Sequence, residues 1–207
     1  LLSEYKTGHL RLASVPSIAS RVLPEILLKF VTNSPSLHVS FFDDNSDAVL
    51  KMVENQQVDF GISHLFHEQD HSDKVFTPIW EDRIGVVCPK DHPLAGKTGI
   101  HWKELRKHRL ISNGTSRLLE DTEARSLLGH SQFYISNMIS LIAMLEAGFG
   151  MTTLPWYAFP KESTTLRFIP LETPEVTRRI GIVKLSNKSL TPPAQALVDF
   201  ILAESKN

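Results

Sequence analysis

Apolar and polar positions alternate along the chain in short runs of two different periods. Leu10–Val15 is mainly apolar, with one arginine, and ends at Pro16-Ser17, which predicts a strand followed by a helix start. Ile18, Val22, Leu23, Ile26, Leu27 and Phe30 then fall on one helical face through about Val31, with Pro24 near the beginning. Ser34-Pro35-Ser36 reads as a turn, and Leu37–Phe42 as a second strand in which Leu37, Val39 and Phe41 alternate with His38 and Ser40. Asp43-Asp44-Asn45-Ser46 offers several N-caps for a helix over 47–55 that carries Val49, Leu50 and Val53 on its face. Val58–Ile62 is a third strand, continuous and apolar apart from Asp59, as a sheet covered on both faces requires. The β-α-β-α-β order argues for parallel strands joined by right-handed crossovers.

A second series of the same kind follows. Ile84–Val87 is a buried strand, His92-Pro93-Leu94-Ala95 a turn, Trp102-Lys103-Glu104-Leu105 a short helix and Arg109–Ser112 a strand. Asn113-Gly114-Thr115-Ser116 opens a helix through about Leu128, and Phe133–Ile135 is a short strand. Met138, Leu141, Ile142 and Leu145 then recur at helical spacing, and Gly148 and Gly150 stop that helix, since glycine tolerates the left-handed φ of a C-cap. Met151–Leu154 is a strand ended by Pro155, which places Thr152–Trp156 at a strand's carboxyl end, where open α/β sheets bind ligands. Leu166–Pro170 and Ile180–Leu185 are the last strands, and Pro192-Pro193 begins a final helix through Leu202. The pattern is that of two Rossmann-like α/β lobes joined by two crossover strands. Lobe I would take residues 1–81 and 179–207, lobe II residues 82–178, and a cleft rimmed by strand ends and helix N-termini would lie between them.

Composition narrows the class. Apolar residues make up 42% and charged residues 22%, the balance of an ordinary globular protein. A formal net charge of −1, with the chain read as carrying no lysine or arginine cluster, argues against its holding DNA or RNA by itself. The single cysteine, Cys88, excludes an internal disulfide framework and suits a reducing, cytoplasmic compartment. No apolar run approaches the roughly 18 residues of a membrane span, and the start carries no signal-peptide pattern. Because Leu1 is not a methionine, the numbering is expected to begin inside a longer polypeptide.

With these elements in place, the chain resembles the effector-binding domain of LysR-type transcriptional regulators. The resemblance rests on Gly8-His9-Leu10-Arg11-Leu12, Leu23-Pro24, Pro35-x-Leu37, Val58-Asp59-Phe60-Gly61-Ile62 and His92-Pro93-Leu94-Ala95. It continues through Ala147-Gly148-Phe149-Gly150 with Leu154-Pro155, and Leu190-Thr191-Pro192-Pro193-Ala194. These motifs run in order from about residue 8 to 200. The resemblance implies a fold of the type 2 periplasmic-binding-protein kind and a small, often anionic metabolite held between the lobes. It also implies a homodimer or tetramer in which helix 18–31 of one subunit packs on helix 138–147 of the other. DNA binding is implied for the intact regulator only, through an N-terminal winged helix-turn-helix absent from this chain; Leu1–Lys6 would be a linker remnant.

The same resemblance, with the strand ends and helix starts, nominates the ligand-binding residues. In lobe I they are Ser14 and Val15 in the loop before the first helix, Ser17 at that helix's start and Ser46 at the next. Ser63 and His64 follow the third strand. In lobe II they are Asn113, Thr115 and Ser116 at a helix start, with Asn137, Met138, Thr153 and Trp156 around the Gly-x-Gly corner. Plain capping is the competing role for the serines, a polar rim for His64 and a core position for Trp156. An anion here needs no lysine, because helix N-termini contribute about 0.3–1 kcal/mol each and charge-assisted hydrogen bonds about 1.5–3 kcal/mol.

Other chemistry is less well supported. His64, His67 and His71, with Glu68 and Asp70, form a local cluster with some capacity for a transition metal but the character of a solvated loop. Cys88 sits in an apolar run and reads as a small buried hydrophobe rather than a redox sensor. No nucleophile elbow, phosphate-binding glycine loop or Cys-x-x-Cys pair is present, so no enzyme, cofactor or metal site is expected. The rival from another class is a solute-binding protein of a transport system, which shares the fold.

Overall fold

The computed structural model describes residues 7–32, 34–65 and 73–205. Leu1–Lys6, and His67, Glu68, Asp70 and His71 of the histidine cluster, lie outside the described residues. The chain divides into two compact units, one holding residues up to Glu81 and from Arg179 onward, the other Asp82–Arg178.

In lobe I, β1 (Thr7–Ser14) lies between β2 (Ser36–Asp43) and β3 (Phe60–His64), parallel to both, with Leu10 opposite Val39 and Leu12 opposite Phe60. All five residues of β3 are buried, whereas β2, paired to β1 alone, exposes Phe41 and Phe42. That is the contrast expected between a central and an edge strand. β10 (Thr177–Leu185) continues this sheet antiparallel to β3, with Ile180 opposite His64. The expected single helix over 17–31 is two, α1 (Pro16–Arg21) and α2 (Leu23–Thr32). Pro24 explains the break: its ring would clash with the carbonyl four residues back, so the chain restarts at Val22 and puts the proline in a first turn, where no N–H is missed. α3 (Ser46–Glu54) is capped by Asn45, whose Oδ1 accepts from Ala48 N at 3.1 Å, and it buries Val49, Leu50 and Val53 as its pattern demands. α6 (Pro192–Glu204) starts on its two prolines and buries Ala194, Leu197, Val198 and Ile201.

β4 (Lys74–Pro89) is a strand much longer than the apolar run 84–87 predicted; it begins in the first unit, and lobe II is built on its part from Asp82 onward. β8 (Met151–Pro155) and β9 (Leu166–Thr173) pair antiparallel with it, and β6 (Leu110–Ser112) lies parallel to β8 and to β7 (Phe133–Tyr134). Alternation along β4 sends Val86 and Cys88 into one core with Trp102, Leu105, Leu119 and Leu127, and Val87 into another with Leu141, Leu145, Leu154 and Leu166. β5 (Ile100–His101) pairs with β9 and leads into α4 (Trp102–Leu105), a helix whose span the sequence predicts. The helix expected from Asn113 to Leu128 is instead two 3₁₀ segments, Gly114–Leu119 and Glu123–His130. Thr122 is the reason: its Oγ1 donates to Leu119 O at 2.8 Å and accepts from Ala124 N at 3.1 Å, ending one segment while capping the next. Among the described residues no helix is long and apolar enough to cross a membrane.

α5 (Met138–Glu146) ends as its sequence requires. Phe149 N donates to Met144 O and Gly148 N to Leu145 O, with Gly148 at φ 77°, the pairing of a Schellman C-cap. Gly150 follows at φ 149°, and Met151 N donates to Arg109 O to open β8.

Candidate functional site

At the carboxyl end of the lobe I sheet, polar side chains replace the core. Ser14, the last residue of β1, is fully buried, and its hydroxyl donates to Val15 O at 3.1 Å. Val15, not Ser17, caps α1; it does so through its backbone, its carbonyl accepting from Ile18 and Ala19 N–H. Pro16 takes the first helical position, for which its fixed φ suits it, and so displaces the expected cap. Ser17 lies within the first turn and is buried. Ser46 likewise starts α3 without capping it, that role being Asn45's.

Ser63 and His64 do not follow the third strand; they are its last two residues. The ladder to β10 extends over them, placing Ser63 opposite Gly181 and His64 opposite Ile180. His64 is 3% exposed and therefore no rim residue. Its Nδ1 lies 2.8 Å from Ser46 Oγ, which also accepts from Ser63 Oγ at 3.0 Å. Three polar side chains from one helix start and one strand end thus form a buried chain. A buried hydroxyl left unpaired costs about 1–3 kcal/mol, so such a cluster persists because its members bond one another. The first turn of α3 adds backbone N–H groups and a partial positive charge at the same end.

In lobe II the nominated hydroxyls and amides serve mainly as fasteners. Asn113 Nδ2 donates to Thr152 Oγ1 at 2.8 Å and Thr153 O at 2.9 Å, while its Oδ1 accepts from Thr115 N at 2.8 Å and Thr115 Oγ1 at 2.6 Å. Asn113 N–H in turn meets Ser116 Oγ at 3.0 Å. Asn113 therefore clips the end of β6 to β8 and starts the first 3₁₀ segment. Thr152, which the sequence places at this strand end without nominating it as a ligand residue, completes the clip by donating to Ile111 O at 2.6 Å. Thr153 is buried beside it. Asn137 is exposed and caps α5, accepting from Ile139 and Ser140 N–H, and Met138 packs at the edge of the Leu141–Leu145 core.

Trp156 is not a core residue. It is 41% exposed, stacked on Phe159 at 5.8 Å and 23° and edge-on to Phe168 at 5.0 Å. Its turn is anchored by Asp82, whose Oδ1 accepts from Tyr157 N at 3.1 Å. The other carboxylate oxygen of Asp82 accepts from Arg178 Nη2 at 2.8 Å and Nε at 3.1 Å. Burial pushes the Arg178 pKa down, and the Asp82 carboxylate opposes that shift. No periodicity in the sequence marks this pair, which joins the middle of β4 to the start of β10, far apart in the chain.

Cys88 is buried, and desolvation, with a smaller contribution from Asp91, pushes its thiol up to about 11. At pH 8 roughly one thiol in a thousand is then ionised. A disulfide reagent should label the native protein far more slowly than the urea-unfolded chain at that pH. Equal rates would overturn the buried assignment. Among the described residues no group of three or more side chains has the arrangement to hold a metal ion.

Residues 3–206 match the model of the LysR substrate binding domain, and the chain belongs to that family. It is 28% identical to the uncharacterized HTH-type transcriptional regulator YbhD of Escherichia coli, over 97% of this chain and 65% of that protein. It is 24% identical to the transcriptional dual regulator GltC of Bacillus subtilis, over 94% and 67%. The chain thus spans about two thirds of the length of these relatives, which are transcriptional regulators rather than transport proteins. Among solved structures, the effector binding domain of QuiR in complex with shikimate superposes with a TM-score of 0.81 at 19% identity, covering 97% of this chain and 98% of that one. The regulatory domain of Synechocystis CcmR in complex with 2-PG gives 0.82 at 23%, covering 97% and 99%. The fold is the type 2 periplasmic-binding-protein-like α/β fold of LysR effector-binding domains.

Proposed function

We propose that this chain is the sensing part of a transcriptional regulator and binds a small anionic metabolite through its strand-end polar groups. The observation that carries this reading is the Ser14, Ser46, Ser63 and His64 cluster, four polar side chains buried at one end of an otherwise apolar lobe. Ser17 and the first turn of α3 supply further donors there. From lobe II, the exposed ring of Trp156 offers a face, and Thr153 lies at the adjoining strand end. Asn113 spends its side-chain amide on that strand end, while Thr115 and Ser116 keep hydroxyl capacity for a ligand. Ligand binding would favour one state of the chain over another, a coupling of about 1–3 kcal/mol being sufficient. In the intact protein that preference would pass through a homodimer or tetramer to DNA-binding domains.

Thermal denaturation with a panel of small carboxylates and phosphates, shikimate and 2-PG among them, tests the reading. A ligand at a hundredfold excess over its Kd adds about 2.7 kcal/mol. For a chain of this size that is a rise in Tm of roughly 5–10 °C. A panel in which every carboxylate and phosphate leaves Tm unchanged would count against the sensing of a small anion.

A further inference from the structure

The near-neutral charge of the whole chain conceals an uneven distribution. Between Lys90 and Arg109 stand six of the 22 lysines and arginines but only two of the 23 acidic residues. All six cations are exposed. Of the two acids, Glu104 is occupied: its carboxylate pairs with Lys97 and accepts from His101 N. The cations are also gathered by the fold. Trp102 carries the Arg106 guanidinium at 4.9 Å and Lys103 Nζ at 5.9 Å from its ring. Arg106 Nη2 is further fixed by Ser126 Oγ at 2.7 Å. The rings of His92 and His108, 4.7 Å apart, fold the preceding turn against the end of this segment. The neighbouring 3₁₀ segment adds one charge of each sign, Glu123 and Arg125, and the Glu172 carboxylate lies against Gly99.

We infer that this face of lobe II, around Lys103, Arg106 and Lys107, binds the phosphate backbone of double-stranded DNA. It would supplement the sequence-specific contacts of the intact regulator, and to that extent it rests on the reading of the chain as part of a DNA-bound protein. Phosphate contacts need cations and little else, because they neutralise charge and release counterions without reading bases. A protein partner would instead be expected to find an aromatic or aliphatic anchor. None of the exposed large hydrophobic side chains falls within residues 90–109. Arg106, stacked and hydrogen-bonded, presents its guanidinium in a fixed orientation suited to a phosphate.

The test is fluorescence anisotropy of this chain with a 30-base-pair duplex of mixed sequence, from 20 to 100 mM salt, beside poly-L-glutamate of equal charge. Three phosphate contacts give a slope of log K against log salt near −2.7, so affinity falls about 80-fold over that range. The variant Lys103→Glu/Arg106→Glu/Lys107→Glu should lose duplex binding, and the milder Lys103→Gln/Lys107→Gln should flatten the slope by about two contacts. Undiminished duplex binding by both variants overturns the proposal. Absence of duplex binding by the native chain at 20 mM salt overturns it as well. Tighter binding of poly-L-glutamate than of the duplex assigns the face to an acidic protein and also overturns it. The effector panel is read independently, so a failure here is distinguishable from a failure of the sensing role.

Discussion

Arg178→Met should destabilise the chain by about 3–5 kcal/mol, the effect of removing one member of a buried ion pair. Asp82 is 1% exposed, and the substitution leaves its carboxylate charged in a medium that does not solvate it. Asp82 also holds Tyr157 N–H, so the turn that carries Trp156 should loosen with the pair. Combining Arg178→Met with Asp82→Asn should recover a large part of the loss. The amide needs no countercharge, and its oxygen can still accept from Tyr157. Urea unfolding of the three proteins measures this. A single variant within 1 kcal/mol of the native chain would mean that water or another cation reaches Asp82.

The second large effect is expected at the corner between α5 and β8. Gly148→Ala should cost about 1–2 kcal/mol, the strain of an L-residue in the left-handed region, since nothing lies near its missing Cβ. Gly150→Ala should cost more, about 3–4 kcal/mol. Its φ of 149° belongs to a region nearly closed to other residues, and the new methyl would overlap the Arg109 carbonyl oxygen. Relieving that overlap means moving the strand start and weakening the bond from Met151 N to Arg109 O. Urea midpoints that rank the two glycines in the opposite order would contradict the geometry.

The two glycines also show how far sequence carries. Their type and spacing announce the helix end and the strand that follows, because few residues other than glycine accept these conformations. Elements with a strong apolar period, such as α3, α5 and α6, are legible for the same local reason. The misses lie where long-range pairing or a side-chain bond decides. Ser63 and His64 look like loop residues until β10 pairs with them, and β10 comes more than a hundred residues later. The 3₁₀ segments depend on Thr122 bonding its neighbours in place of a continuous helix. Asp82 and Arg178 are ordinary charged residues in sequence and become a pair only through strand topology. In the candidate site, residue type and position point to strand ends and helix starts, but which hydroxyls fasten the fold depends on hydrogen-bond partners that no local pattern encodes. Asn113 with Thr152 and the Ser46–Ser63–His64 chain are two examples.

That chain of buried polar groups is also where the account is most exposed. Isothermal titration of the first stabilising anion into the native protein and into Ser46→Ala/Ser63→Ala tests it directly. With two hydrogen bonds to a charged ligand removed, at about 1.5–3 kcal/mol each, affinity should fall at least a hundredfold, while Tm in the absence of ligand moves by only a few degrees. Unchanged affinity in a folded double variant would show that the metabolite is held elsewhere and that the cluster serves the fold alone.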